Sequence, residues 1–333
     1  MRRQPICVLG AGSWGTALAM VLARSGRKVR LLARDKARAQ AMEQARENRH
    51  YLPDIRFPKS LHVMHEHEAA LKGAVAAVVA LPCEAVEDYL PEVADCVEGP
   101  AIAACKGLHP ETLRRTDQIL AEYIDPARIA ILSGPSFAPE VARGRPTAIT
   151  MAAHDIHTAE EAAALFEDSN FRVYTSTDVA GVALGGALKN VIAIAAGIAS
   201  GLQLGHNAAA ALITRGIAEM SRLAVVCGGR QETLNGLSGL GDLVLTCTGE
   251  LSRNRRMGIA LAQGMDAQAA REHIGQVVEG IRTADAAIRL AEKYGIEIPI
   301  MSAVHAVLQG KQTPMDAVHA LLARPEKAEG TVA

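Results

Sequence analysis

A chain of 333 residues is longer than one hydrophobic core comfortably serves and suits two domains. Hydrophobic residues make up 49% and charged residues 21%, an ordinary composition for a soluble globular protein. The formal net charge of -1 gives no reason to expect nucleic acid or an anionic membrane as partner, although a local basic pocket is compatible with it.

The first apolar run, residues 6–9, is too short for a signal-peptide core. It reads instead as a strand buried on both faces of a parallel sheet, ending at Gly10. Residues 16–23 have helical spacing, with Ser25-Gly26 as the stop, and residues 28–32 read as a second strand. Strand, glycine turn, helix, strand is a βαβ unit. Further apolar runs follow at 74–81, stopped by Pro82, at 101–105, stopped by Lys106-Gly107, and at 129–132, stopped by Ser133-Gly134-Pro135. Residues 148–153 and 171–175 extend the sheet at its far edge. This alternation predicts a doubly wound α/β sheet of Rossmann type.

After about Asp178 strand runs stop, and residues 179–200, 207–227 and 279–293 have helical spacing, the last closed by Gly295. The stretch 179–204 is apolar but carries Lys189, Asn190 and several glycines, so it reads as a buried helix and no membrane span is expected. The predicted plan is a dinucleotide-binding domain over 1–180 and an all-helical substrate domain over 181–333, with the tail from Arg324 frayed. Part of one helix, 207–227 or 279–293, could serve as a homodimer surface. The cysteines Cys7, Cys83, Cys96, Cys105, Cys227 and Cys247 form no Cys-x-x-Cys pair, so buried thiols are expected rather than a zinc ribbon or redox motif. A cytoplasmic protein is expected.

Each glycine of Gly10-x-Gly12-x-x-Gly15 has a task. Gly10 permits the tight turn, Gly12 lets backbone approach a pyrophosphate, and Gly15 allows close helix packing. The helix N-terminus beyond them offers N–H groups and a positive dipole end to the phosphates. Cofactor choice falls at the end of the second strand, Leu32-Ala33-Arg34-Asp35. An arginine there accommodates the 2′-phosphate of NADP and an acidic residue the 2′-hydroxyl of NAD. Arg34 comes first and favours NADP; Asp35 leaves NAD open.

Ligands of open α/β sheets sit outside the carboxyl ends of the strands, where Pro82-Cys83, Lys106-Gly107 and Gly134-Pro135-Ser136 fall. Lys106 is placed to meet an anionic ligand. Lys189 lies among small and apolar residues, where burial disfavours the ammonium ion and equips the amine to exchange a proton with a substrate hydroxyl. Asn190 beside it can orient a polar group. The segment 236–243, rich in glycine, followed by Ser252-Arg253-Asn254, supplies N–H donors, a hydroxyl, a guanidinium and an amide, a set suited to a phosphate monoester. His62, His65 and His67 alternate with polar residues in an edge strand or loop and are not read as a metal site.

Together these segments resemble the NAD(P)-dependent glycerol-3-phosphate dehydrogenase family, bacterial biosynthetic type. The resemblance is carried by GAGSWGTAL at Gly10, CKGL at Cys105, SGPSFAPEVA at Ser133, GGALKNVIAIAAG at Gly185, GLGDLVLTCTGELSRNRRMG at Gly239 and QVVEG at Gln276. It implies hydride transfer between a nicotinamide and C2 of dihydroxyacetone phosphate or sn-glycerol 3-phosphate, supplying phospholipid synthesis, with no metal. It implies cofactor contacts at Ser13, Trp14, Arg34, Lys106, Ala138, Arg253, Val277 and Glu279. Substrate contacts are implied at Lys106, Gly134, Ser136, Lys189, Asp242, Ser252, Arg253 and Asn254, with Lys189 as proton acceptor. Cys105 departs from the threonine of many relatives, and Ala183 from a frequent glutamate. Two other readings stay open on the residues alone: a β-hydroxyacid dehydrogenase or ketopantoate reductase with a similar plan, and a non-catalytic cofactor sensor.

Overall fold

The computed structural model describes residues 4–325. The chain falls into two compact units: residues up to 109 together with 114–183, and residues 110–113 together with those from 184 on.

Among its described residues the first unit holds ten strands: β1 (Pro5–Leu9), β2 (Lys28–Leu32), β3 (Glu47–Asn48), β4 (Leu52–Arg56), β5 (Leu61–Met64), β6 (Ala76–Val79), β7 (Ala101–Ala103), β8 (Ile129–Ser133), β9 (Thr147–Ala153) and β10 (Phe171–Ser176). Eight of them form one sheet in the order β10-β9-β8-β7-β6-β1-β2-β5. Every neighbouring pair is parallel except β8 with β9, whose antiparallel ladder is the one departure from the all-parallel sheet. His62 lies on the edge strand β5. The short antiparallel pair β3–β4 was not legible, since residues 47–56 have neither alternation nor a two-residue glycine turn.

Side chains alternate across β1 into two separate cores. Ile6 and Val8 pack on one face, with Leu18 and Leu22 of helix α1 (Ser13–Arg24). Cys7 and Leu9 pack on the other, with Val86 and Leu90 of a later helix, Cys83–Val93. A sheet covered on both faces explains why its strands read as unbroken apolar runs. Chain order reverses about β1, which lies between β2 and β6. That switch point opens a crevice at the carboxyl end of β1, where the glycine turn begins. The run 74–81 contributes only four residues to β6, because the chain turns toward Pro82. Helix α1 starts three residues earlier than its apolar spacing indicates, directly at the turn.

Helix α2 (Lys36–Ala45) follows β2. From residue 184 on, the described residues form helices joined by turns, with no strand among them. The long helices of the second unit are α3 (Val179–Gly201), whose first turn belongs to the first unit, α4 (Gly205–Val226) and α5 (Glu279–Tyr294). Between them run α6 (Asp242–Thr248) and α7 (Arg253–Ala262), and after them α8 (Pro299–Leu308) and α9 (Pro314–Leu322). Among the described helices only α3 is long and apolar enough to cross a membrane, and 89% of that window is buried inside the fold. Helices α3 and α7 touch backbone to backbone. A Cβ on Gly197 would lie 2.0 Å from the Arg255 carbonyl oxygen, and one on Gly258 2.0 Å from that of Ile194. The amphipathic α5 ends at Gly295 in the left-handed region, as its sequence indicates. At the start of the tail the Arg324 guanidinium is 2.9 Å from a Glu297 carboxylate oxygen; the expected fraying concerns chiefly residues beyond 325, which lie outside the described residues.

Candidate active site

In the first unit the site is built mainly from backbone. Gly10 has φ +109°, and a Cβ there would lie 2.7 Å from the Ala80 carbonyl oxygen. A Cβ on Gly15 would collide with the Gly10 carbonyl oxygen at 1.9 Å, so α1 packs directly on the turn. At Gly12 a Cβ would meet nothing within 4 Å, and Gly12 offers no side-chain cap to the first turn of α1. Open space in front of uncapped N–H groups and a positive helix end fits a pyrophosphate. Two residues that sequence reasoning missed hold the turn in place. The buried Asn48 donates to the Ala11 carbonyl at 3.0 Å and to the Thr16 hydroxyl at 2.8 Å. Arg38 donates to the same carbonyl at 3.1 Å and stacks over Tyr51 at 4.2 Å. Neither role leaves a local signal, because each depends on a partner more than twenty residues away.

Ser13 donates its hydroxyl to the Tyr51 carbonyl at 3.2 Å, and Trp14 donates Nε1 to the Ala104 carbonyl at 2.8 Å. Trp14 thereby ties α1 to the end of β7, where Lys106 stands. Lys106 Nζ donates to the Gly134 carbonyl at 2.7 Å and to Ser136 Oγ at 3.2 Å, and sits 5.7 Å from the Trp14 ring centroid. Gly134 has φ +142°, with Ile149 Cα only 2.9 Å from where its Cβ would be. Thus Trp14, Lys106, Gly134 and Ser136 are brought together across three strand ends, and Ala138 begins the short helix just beyond. Arg34 stands apart from them, exposed after β2. Asp35 is the N-cap of α2, its carboxylate accepting from the Arg38 backbone N–H at 2.7 Å. That bond engages one of the two carboxylate oxygens, Oδ1.

In the second unit the site is built from side chains. Lys189 on α3 is 6% exposed and Asp242 on α6 is 1% exposed. Lys189 Nζ donates to Asp242 Oδ1 at 2.6 Å and to Thr246 Oγ1 at 2.9 Å. Thr246 donates its own hydroxyl hydrogen to the Asp242 backbone carbonyl at 2.6 Å. A lone buried ammonium is costly, and this carboxylate and hydroxyl make it tolerable. Thr246 was missed, although it lies four residues from Asp242 and so on the same helical face. Cys247 is also buried, and burial pushes its thiol up to about 12, so no thiolate competes with Asp242 for the lysine.

Beside Lys189, Asn190 donates to Glu279 Oε2 at 3.4 Å and accepts from Asn254 Nδ2 at 2.8 Å. Asn254 Oδ1 accepts from the Gly280 N–H at 3.0 Å. Ser252 is the N-cap of α7, accepting from the Arg255 N–H at 3.1 Å, and Arg253 and Asn254 form that helix's first turn. Val277 is 52% exposed. The glycine-rich segment also has a packing role. Leu237–Gly241 is a π-helical turn, with the Gly241 N–H bonded to the Gly236 carbonyl. Gly239 is packed on Leu234, and a Cβ on Gly185 of α3 would strike the Ser238 carbonyl oxygen at 2.6 Å. The turn delivers Asp242 to Lys189, a use typical of such irregular turns.

A doubly wound sheet with a glycine turn at its switch point, and a helical unit holding a clamped lysine, define a two-unit dinucleotide-dependent dehydrogenase. The family comparison is more specific. Residues 5–159 match the N-terminal model, and residues 178–319 the C-terminal model, of NAD-dependent glycerol-3-phosphate dehydrogenase. The chain belongs to that family. It is 49% identical to the NAD(P)+ glycerol-3-phosphate dehydrogenase of Thioalkalivibrio sulfidiphilus, over 99% of this chain and 100% of that one. Identity to the enzyme of the same name from Xanthomonas campestris pv. campestris is 48%, over 98% and 96%. The crystal structure of glycerol-3-phosphate dehydrogenase from Coxiella burnetii superposes with a TM-score of 0.92 at 42% identity, covering 97% of this chain and 100% of that chain. Membership separates the chain from the hydroxyacid dehydrogenases, the ketopantoate reductases and a non-catalytic sensor.

Proposed function

We propose that this chain interconverts dihydroxyacetone phosphate and sn-glycerol 3-phosphate with NADP(H) as preferred cofactor and NAD(H) as an alternative, supplying glycerol 3-phosphate to phospholipid synthesis. The observation that carries this is Lys189 clamped between Asp242 and Thr246, beside the capped first turn that bears Arg253 and Asn254. The nicotinamide, when bound, gives or takes the hydride at substrate C2.

Lys189 Nζ donates a proton to the oxygen on C2 in the reducing direction and accepts it in the other. Asp242 and Thr246 fix the direction of Nζ and compensate its charge while it is an ammonium ion. Arg253 pairs with the substrate phosphate, and Asn254 offers its second amide hydrogen. Asn254 is rigid, since Asn190 and Gly280 already hold both ends of its amide. Binding energy from that remote phosphate orients C2 without assisting the reaction directly. Lys106, Gly134 and Ser136 contribute further substrate contacts, and Ser252 positions Arg253 as well as offering its hydroxyl.

Gly10, Gly12 and Gly15, with the first turn of α1, hold the pyrophosphate, and Ser13, Trp14, Lys106, Ala138, Arg253, Val277 and Glu279 complete the cofactor contacts. Arg34 meets the 2′-phosphate, a role favoured by the engagement of Asp35 as a helix cap. We assign the chain to the cytoplasm, where thiols stay reduced, and read the residues 1–180 and 181–333 as its cofactor and substrate domains.

The test is oxidation of NADPH and of NADH with dihydroxyacetone phosphate, unphosphorylated dihydroxyacetone and ketopantoate. Turnover confined to the phosphate ester, faster with NADPH, is expected. Comparable rates with the phosphate-free ketone or with the keto acid would overturn the assignment.

A further inference from the structure

Two thiols beside Lys106 have no part in this chemistry. Cys83 begins the helix that follows β6, and Cys105 follows β7, the neighbouring parallel strand. Cys105 Sγ donates to Thr116 Oγ1 at 3.2 Å, and Cys83 Sγ lies 3.4 Å from the same oxygen. The two sulfurs therefore stand no more than two hydrogen-bond lengths apart. They differ in burial: Cys83 is 9% exposed, whereas Cys105 is half-buried. They also frame the Lys106-Gly107 turn. Cys105 immediately precedes Lys106, and a Cβ on Gly107 would lie 3.6 Å from Cys83 Cβ.

We infer that Cys83 and Cys105 are an oxidation site at which a peroxide switches off Lys106. This rests on the reading of Lys106 as a substrate and cofactor contact. The more accessible Cys105 reacts first: its thiolate attacks hydrogen peroxide, the O–O bond breaks, and Cys105 becomes a sulfenic acid as hydroxide leaves. The Cys83 thiolate then attacks the Cys105 sulfur, the S–O bond breaks, and a second hydroxide leaves as the disulfide forms. With the two thiol protons, two waters result, so two thiols are oxidised and one peroxide is reduced. Joining the sulfurs removes both from Thr116 and draws in the backbone one residue before Lys106. Lys106 Nζ is fixed to Gly134 and Ser136 with little slack, and a shift of about 1 Å at a positioning group can cost up to a hundred-fold in rate.

The experiment treats the full chain with hydrogen peroxide, removes the oxidant by desalting, and maps peptides without reduction. Activity on dihydroxyacetone phosphate is measured before and after dithiothreitol. A Cys83–Cys105 cross-linked peptide is expected, with kcat/KM reduced about ten-fold or more and restored by the reductant. Both C83S and C105T should keep their activity through the treatment. Absence of the cross-link where other thiols are oxidised would overturn the site, as would equal inactivation of both variants. A cross-link with unchanged kcat/KM would overturn the control of Lys106. Lys106→Ala, measured alongside, separates that failure from an error in the Lys106 reading, since an unchanged KM there would place the fault in the contact itself.

Discussion

The two units solve different problems with different materials. In the first, the turn to which the proposed function gives the pyrophosphate is made of peptide groups, and side chains hold those groups still: Asn48 and Arg38 both bond the Ala11 carbonyl. In the second, the proposed chemistry belongs to side chains, and Lys189, Asp242 and Thr246 are buried on two helices whose packing fixes them. Anchoring an anion asks for many fixed N–H dipoles and tolerates solvent. Moving a proton asks for one amine in a defined direction away from water. The contrast predicts that damage to the helical unit falls on turnover, and damage to the glycine-turn unit on cofactor affinity.

Among the residues around Lys189 and the ligand contacts, the largest expected effect is at Asp242. Asp242→Asn leaves Lys189 with a buried charge that is poorly compensated, and should cost roughly 3–5 kcal/mol of stability and lower kcat about a thousand-fold. Denaturant unfolding and steady-state kinetics on the folded fraction check both. Arg253→Ala comes next. Removing a charge-assisted bond to phosphate should lower kcat/KM for dihydroxyacetone phosphate about a hundred-fold, with KM for the phosphate ester rising more than KM for NADPH, so the comparison of the two KM values is the readout. In the other unit, Arg34→Ser should lower kcat/KM for NADPH about ten-fold with little change for NADH. A large loss of kcat at saturating NADPH would break the comparison.

The smallest effect concerns stability alone. Glu219 on α4 is buried and accepts from the Ile300 and Met301 N–H groups at 2.8 and 3.2 Å, at the start of α8. Burial pushes its carboxyl from an ordinary 4.5 up to about 7, against the pull of those two bonds. Between these values the folded chain keeps a proton that the unfolded chain has released. Stability contributed by Glu219 is therefore full below about pH 4.5 and is lost as pH rises to about 7, each pH step of one across that interval removing about 1.4 kcal/mol at most. Glu219→Gln should flatten this slope in denaturant titrations between about pH 4.5 and about pH 7.

The same contrast explains what was legible in the sequence. The β1–turn–α1 segment could be read because each glycine acts on neighbours in the chain. Lys189 could be read because a charge inside an apolar helical run is conspicuous, and the helical spacing of 179–200 and 279–293 matched α3 and α5 closely. Asn48 could not, since its partners lie 37 and 32 residues away. The π-helical turn before Asp242 was hidden for a different reason: glycines that allow close packing and glycines that expose N–H groups look alike until their partners are known. Asp35 read only as an alternative to Arg34 at the ribose; its cap on α2 was not foreseen, because the Arg38 N–H that it accepts is a partner known only once the helix start is placed.

The central claim is that Lys189 moves the proton, and Lys189→Ala tests it most directly. The variant's fold is verified by circular dichroism, its NADPH affinity by fluorescence titration, and its kcat on dihydroxyacetone phosphate by NADPH oxidation. Unchanged cofactor affinity with kcat lower by at least about a thousand-fold is the predicted result. Near-normal turnover in a folded Lys189→Ala variant would contradict it.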